Sequence, residues 1–409
     1  MKRVAVIGGG ASGMMAAVSA AVNGAEVVLF EKNDRVGKKI LMTGNGKCNF
    51  SNRDFCMDYY HGAQSEKLGK IFSGFTVEDT VSFFEKAGML VKEKNGYLYP
   101  FSEQASTVLD IFRLLLRQYK VELRLSADVE SLKKKGKFFV LQAAGKKWEF
   151  DSVVVACGGA AAPKTGSDGN GYMLAERLGH SLVKRVPALV QLKCRDDFFK
   201  TLAGVRCDAF LSLTDKNRVI QEERGELQFT DYGISGIPVF QLSRSAAYLL
   251  DERKELCVYL DFFPEYNRQD YEALCLERIK TRKGKSVEEF LLGMANKKIN
   301  MVLIKQAGLR PSEDVLQMDE RKLFLLLTSY RRLCVHVTGT NSFDQAQVTA
   351  GGVDMDEVDS SMESMLVPEL YFAGEVLDVD GRCGGYNLQW AWTSGFLAGK
   401  NAAGQGGRK

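Results

Sequence analysis

The residues whose types and spacing could do chemistry sit near the two ends of the chain. The first set is Gly8-Gly9-Gly10-Ala11-Ser12-Gly13, followed further on by Glu31 and Lys32. Gly8 permits a tight turn, Gly10 lets the backbone approach a pyrophosphate, and Gly13 lets a helix pack closely on a strand. The helix that starts here turns unpaired N–H groups and a partial positive charge towards the phosphates. Glu31, at the tip of the next strand, can accept hydrogen bonds from ribose hydroxyls. The second set is Gly374-Glu375 and Gly385-Tyr386-Asn387-Leu388: a strand ending on an acid, then a Gly-Gly helix start. Its N–H groups can face a negative charge that develops on a ligand. Between them in type is the loop from Lys32 to Asn52. Its segment Thr43-Gly44-Asn45-Gly46-Lys47-Cys48-Asn49 combines glycines, small polar donors and a lysine, as a backbone passing close to a flat ligand requires.

The elements that must position these residues follow from apolar periodicity. Strands are expected at Val4–Ile7 and Glu26–Phe30, flanking a helix of small residues from Met14 to Val22. Helices follow at Glu66–Phe72, Val77–Lys86 and Gln104–Tyr119. After a strand at 121–126, the segments Val129–Leu132, Phe138–Ala143 and Trp148–Phe150 read as an antiparallel meander. It feeds an apolar strand, Ser152–Ala156, that stops at Cys157-Gly158-Gly159. That layout belongs to FAD-binding domains; an NAD-only dehydrogenase fold would continue with a helix. Thr165–Gly171 opens a further helix, Tyr172–Leu178, suited to an anion or flavin edge, with Asp168 alternatively a plain N-cap.

The fold expected is therefore α/β: a Rossmann-like FAD-binding domain of glutathione-reductase type over 1–186 and 346–409. An inserted β-barrel or sandwich is expected over 187–264, with return strands near 331–345, and a helical subdomain over 265–330. The tail from Gly399 is expected to fray.

A charge of +4 over 409 residues, with 45% apolar and 26% charged residues, is that of a soluble globular protein without a basic stripe for nucleic acid. No window is long and apolar enough to span a bilayer. The nine cysteines are scattered without a CxxC pair and there are only three histidines. This pattern predicts reduced cytoplasmic thiols and no metal site.

GGGASGMMAA, GKKILMTGNGKCNFSN, QVTAGGV and FAGEVLDVDGRCGGYNLQWAWTSG, in this order, resemble the BaiN/RdsA family of NAD(P)/FAD-dependent oxidoreductases across essentially the whole chain. The resemblance implies that Gly8, Gly10, Ala11, Ser12 and Gly13 hold the phosphates of FAD. It implies Glu31, with Lys32 beside it, at the adenosine ribose and Val129 at the adenine edge. Lys39, Thr43, Gly44, Gly46 and Cys48 would line the flavin, as would Gly158, Gly374 and Gly385. Glu375 and Asn387, with Tyr386 and Leu388, would serve the ribityl chain and ring. The implied reaction is NAD(P)H-driven reduction of an activated C=C bond in a steroid or bile-acid-like enone, a small-molecule substrate. The alternative is a flavin amine oxidase using oxygen. With a single GxGxxG, NAD(P)H would bind transiently at the flavin face. Arg382, Tyr386 and Cys48 are the candidates for carbonyl donor and proton source, because they lie in flavin-facing loops.

Overall fold

A run such as Val4-Ala5-Val6-Ile7 has no polar face to offer water, so it suits only a strand covered on both sides. In the computed structural model, which describes residues 1–216 and 218–404, it is the middle strand of a parallel sheet. The order is Leu370–Phe372, Ser152–Val155, Arg3–Ile7, Glu26–Phe30, Glu122–Arg124. Val4 is in register with Ser152 on one side and Val27 on the other. This sheet belongs to one compact unit, formed by Met1–Val186 and the chain from Ala346 onward; Pro187–Gln345 forms the other.

In the first unit the meander Val129–Lys135, Phe138–Ala143, Lys146–Phe150 is present. Phe150 and Trp148 pack edge-on against Phe30 at 5.9 and 5.8 Å. The glycine-loop helix is Ala11–Val22 and the closing helix is Tyr386–Ala402. They touch through backbone. A Cβ on Gly395 would lie 2.4 Å from the Ser12 carbonyl oxygen, and one on Gly399 would lie 2.1 Å from that of Ala16. Because 12 faces 395 and 16 faces 399, the two helices run parallel. The expected fraying does not hold at its start: Gly399 is where the closing helix leans on the first, and the helix continues to Ala402, while residues 405–409 of that expectation lie outside the described residues.

The second unit contains a closed six-stranded antiparallel barrel. Its order is Leu192–Cys194, Gly233–Ser235, Arg218–Phe229, Arg206–Asp215, Leu256–Asp261, Leu333–Thr340. Closure leaves no exposed edge, which settles barrel over sandwich. Two expectations fail here. Arg218–Phe229 is one twelve-residue strand, because its polar residues alternate outward along a single ladder. A helix that the sequence reading leaves out spans Ile237–Asp251, with Pro238 in its first turn. The helices Arg268–Lys280, Lys297–Gln306 and Glu320–Thr328 share one continuous apolar core with the barrel. Tyr271 Oη donates to the Leu327 carbonyl at 2.8 Å, and Tyr330 Oη to Asn300 Oδ1 at 2.7 Å, so this core buries no idle phenol. Among the described residues, no helix is long and apolar enough to cross a membrane.

Candidate dinucleotide site

The glycine turn is built by sterics. Gly8 has φ +107°, and a Cβ there would meet the Ala156 carbonyl oxygen at 2.4 Å; one on Gly13 would meet the Gly8 carbonyl oxygen at 1.8 Å. These two glycines are required by the protein itself. Gly10 is different: its φ is −80°, and a Cβ there would have nothing within 4 Å. The protein leaves open space above the helix start, which carries no side-chain cap. Uncapped N–H groups facing open space are what an anionic group requires.

Glu31 is buried and already engaged. Its Oε2 accepts from Gly9 N–H at 2.8 Å, and its Oε1 accepts from Asn33 N–H at 2.8 Å and Asn33 Nδ2 at 2.7 Å. Asn33 also donates to the Thr165 carbonyl, tying this acid to the 165–171 loop. Lys32 pairs with Asp168, whose carboxylate is thereby committed. The residue that caps the next helix is Gly169, with φ +87°. Val129 offers its carbonyl to Asn170 Nδ2 at 3.1 Å.

The long loop is ordered by its own turns. Ile40–Gly46 is 3₁₀-like, and Gly44, Asn45 and Gly46 are all left-handed at φ +55°, +53° and +85°. Thr43 Oγ1 donates to the Ile40 carbonyl at 2.6 Å. Lys39 reaches across to Glu375 Oε2 at 2.7 Å, and Glu375 Oε1 accepts from Thr349 N–H at 2.9 Å. Thr349 Oγ1 in turn accepts from the N–H groups of Ala160 and Ala161 at 2.8 and 3.0 Å, just after Gly158. Thr349 and Asn33 are the connecting residues that sequence reasoning missed. The only signal was their position, inside a motif for Thr349 and beside the acid for Asn33.

At the closing helix, Gly385 is the cap, at φ +96° and without a side-chain partner. A Cβ there would lie 2.6 Å from the Ser51 carbonyl oxygen and 3.0 Å from Asn49 Oδ1, so the long loop and this helix start meet. Asn49 Oδ1 is buried with no partner. Gly374 takes φ +79° against Ser12, and its carbonyl accepts from Trp390 Nε1 at 3.1 Å. The Asn387 side chain does not face outward as expected. It brackets Gly381, accepting from its N–H at 2.9 Å and donating to its carbonyl at 2.8 Å, so it shapes the 381–385 loop. Only the main-chain N–H groups of Tyr386, Asn387 and Leu388 remain for a ligand.

The parallel contact of the two helices sets their spacing. Gly385 lies ten residues before Gly395, and Gly10 two before Ser12. The closing helix thus starts about eight residues, or ~12 Å, before the first along their shared direction. Two amide-lined helix starts offset in this way suit an anionic group at one and a polar ring at the other.

The three candidates for chemistry separate. Arg382 places its guanidinium 5.5 Å from the Tyr59 ring centre, and its N–H donates to the Tyr59 carbonyl. Tyr386 packs against Tyr59 at 5.2 Å and donates its phenol to the Asp54 carbonyl at 2.8 Å. Burial raises its pKa, so the phenol stays a donor. Cys48 is not with them as a reactive group. It is wholly buried, and burial pushes its thiol up to about 11, which makes it a packing residue and not a substrate-facing acid.

Three known proteins frame this geometry. The chain is 42% identical to a 3-dehydro-bile acid delta(4,6)-reductase from Clostridium scindens, over 98% of this chain and 99% of the relative. It is 30% identical to a ribosomal RNA dihydrouridine synthase from Haemophilus influenzae, over 96% of each. A 3-ketosteroid delta1-dehydrogenase structure from Sterolibacterium denitrificans aligns over 98% of this chain and 100% of its own, with a TM-score of 0.51 at 14% identity, a likeness of fold. The model of the HI0933-like protein Rossmann domain matches residues 2–401. With the glycine turn, the meander and the closing helix in place, the chain belongs to the HI0933-like family of Rossmann-domain proteins.

Proposed function

We propose that the protein is an FAD-dependent oxidoreductase that uses NAD(P)H to reduce a C=C bond conjugated to a carbonyl, with a steroid-type enone as substrate. The observation that carries this reading is the 42% identity, over nearly the whole chain, to a relative named as a bile-acid reductase. The dinucleotide-shaped site supports it. When bound, FAD supplies a two-electron carrier that accepts and donates hydride.

The chain's own residues do the rest. The amides at the start of the first helix and the open space over Gly10 hold the pyrophosphate. Glu31, pre-positioned by Gly9 and Asn33, takes the adenosine ribose, and the Val129 main chain takes the adenine edge. Lys39, Glu375 and Thr349 orient the ribityl chain. The N–H groups of Tyr386 to Leu388 offset negative charge at the ring. Arg382 and Tyr386 are the proposed donors to the substrate carbonyl and α-carbon, the Tyr386 phenol exchanging the Asp54 carbonyl for substrate; polarising the one and protonating the other is the general acid work an enone requires.

A second reading has its own support. The H. influenzae relative is named for dihydrouridine synthesis in ribosomal RNA. The uracil C5=C6 bond is also conjugated to a carbonyl, so the same donors would serve. The near-neutral charge argues against an RNA face without removing it.

One experiment separates these. The protein is reduced anaerobically with NADH or NADPH, and flavin reoxidation is followed with a 4-en-3-one or 4,6-dien-3-one steroid, with unmodified ribosomal RNA, and with oxygen. Fast reoxidation by the steroid supports the first reading. Response to RNA alone transfers support to the second. Reduction by small amines with turnover on oxygen would sink both in favour of an oxidase.

A further inference from the structure

In the second unit, strands Leu256–Asp261 and Leu333–Thr340 pair with Cys257 opposite His336 and Tyr259 opposite Cys334. Leu256, Val258 and Leu260 point into the barrel, as do Leu333, Val335 and Val337. Alternation along a strand therefore puts Cys257, Cys334 and His336 together on the outer face. Cys257 and His336 are direct cross-strand neighbours, and Cys334 is the diagonal one. One donor atom from each, two sulfurs and a ring nitrogen, lie within 4.8 Å of one another.

The histidine is oriented by a carboxylate. Asp196 Oδ1 lies 2.8 Å from His336 Nδ1, and Asp196 Oδ2 accepts from the His336 main-chain N–H at 2.8 Å. A carboxylate on Nδ1 fixes the proton there and leaves the Nε2 lone pair for coordination; ligating histidines are held in this way. The Asp196 side chain is 13% exposed, so the partner is anchored, while His336 at 39% remains reachable from solvent.

We propose that Cys257, Cys334 and His336 form a zinc site with a fourth position open to solvent or an exogenous ligand. Two thiolates and an imidazole select a thiophilic ion over magnesium or calcium, and three protein ligands leave a tetrahedral ion one free position. Binding transfers one proton from each thiol to the buffer and forms two Zn–S bonds and one Zn–N bond; zinc stays divalent and no redox partner is needed. The ion would clip together the two strands that complete the barrel. The CxxC test cannot detect such a site, because strand pairing and not chain proximity unites its ligands.

The test uses the full-length flavin-loaded protein, reduced with a phosphine and freed of metal by a chelator. Zinc titration should give one ion per chain. Cobalt(II) in its place should give thiolate charge-transfer bands and tetrahedral bands to the red of the flavin. Cys257→Ser, Cys334→Ser and His336→Gln should each weaken zinc by about tenfold or more. Asp196→Asn should weaken it by about tenfold while keeping the thiolate bands. Cys207→Ser, on a different strand of the barrel, should change nothing. X-ray absorption of the zinc-loaded wild type, which needs no variant, should show sulfur in the first shell. A shell of nitrogen and oxygen only, failure of the reduced wild type to bind, or equal binding by the Cys257→Ser/Cys334→Ser double variant would each overturn the proposal.

Discussion

Lys39 Nζ and Glu375 Oε2 stand 2.7 Å apart although 336 positions separate them in the chain. One comes from the long loop after Glu31, the other from the turn just past the strand Leu370–Phe372. Their side chains are 28% and 19% exposed, so the pair itself adds little to stability, about 0–1 kcal/mol. Its continuation through Thr349 to the N–H groups of Ala160 and Ala161 points to a positioning role instead. Lys39→Ala and Glu375→Ala should each lower FAD affinity with small change in melting temperature. The double variant should be no worse than the poorer single one. Additive losses in reconstitution titrations would mean that the two act separately.

The glycines divide by what constrains them. Gly10→Val should fold, with stability within ~1 kcal/mol of wild type, because no protein atom opposes its Cβ. It should nevertheless purify without flavin. Gly13→Ala should lose at least ~3 kcal/mol or fail to fold, since its Cβ would sit 1.8 Å from the Gly8 carbonyl oxygen. Urea unfolding and flavin absorbance distinguish the two; a yellow Gly10→Val protein would refute the pyrophosphate site.

Gly399→Ala tests the helix contact. Its Cβ would meet the Ala16 carbonyl oxygen at 2.1 Å, so the helices must part, at a cost of about 2–3 kcal/mol. Because that contact also sets the offset between the helix starts, FAD affinity should fall together with the denaturant midpoint.

Cys48 should be inert. With the thiol pushed up to about 11 by burial, it should resist alkylation in the folded protein at neutral and mildly alkaline pH and react on unfolding. Cys48→Ala should cost about 1 kcal/mol of stability and leave the pH profile of turnover in place. Mass spectrometry after iodoacetamide treatment checks the first outcome.

His180 should make stability depend on pH. Its side chain is wholly buried, with Nδ1 3.0 Å from Glu357 Oε2 and Nε2 2.8 Å from Ser364 Oγ. Burial lowers its pKa, outweighing the opposing pull of Glu357. The folded state then stays neutral where the unfolded chain takes up a proton. The contribution is intact above the unfolded value of about 6.5 and is lost as pH falls below it, by up to ~1.4 kcal/mol per pH unit. His180→Gln should flatten the change in urea midpoint between about pH 7 and about pH 5.5.

The sequence by itself determined the elements whose cause is local. The apolar runs at Val4–Ile7 and Ser152–Val155, the glycine turn, the meander and the acid-terminated strands carry their patterns in neighbouring residues, and those patterns were legible. Tertiary structure decided what depends on partners distant in the chain. It alone turned Asn387 onto Gly381, buried Cys48, placed Thr349 between Glu375 and the 158–161 turn, and extended the closing helix through Gly399 on the strength of contact with Ala16. The outer-face cluster of Cys257, Cys334 and His336 has the same origin. Side-chain direction and ligand sets are products of strand register and helix packing, and no short window of sequence contains either.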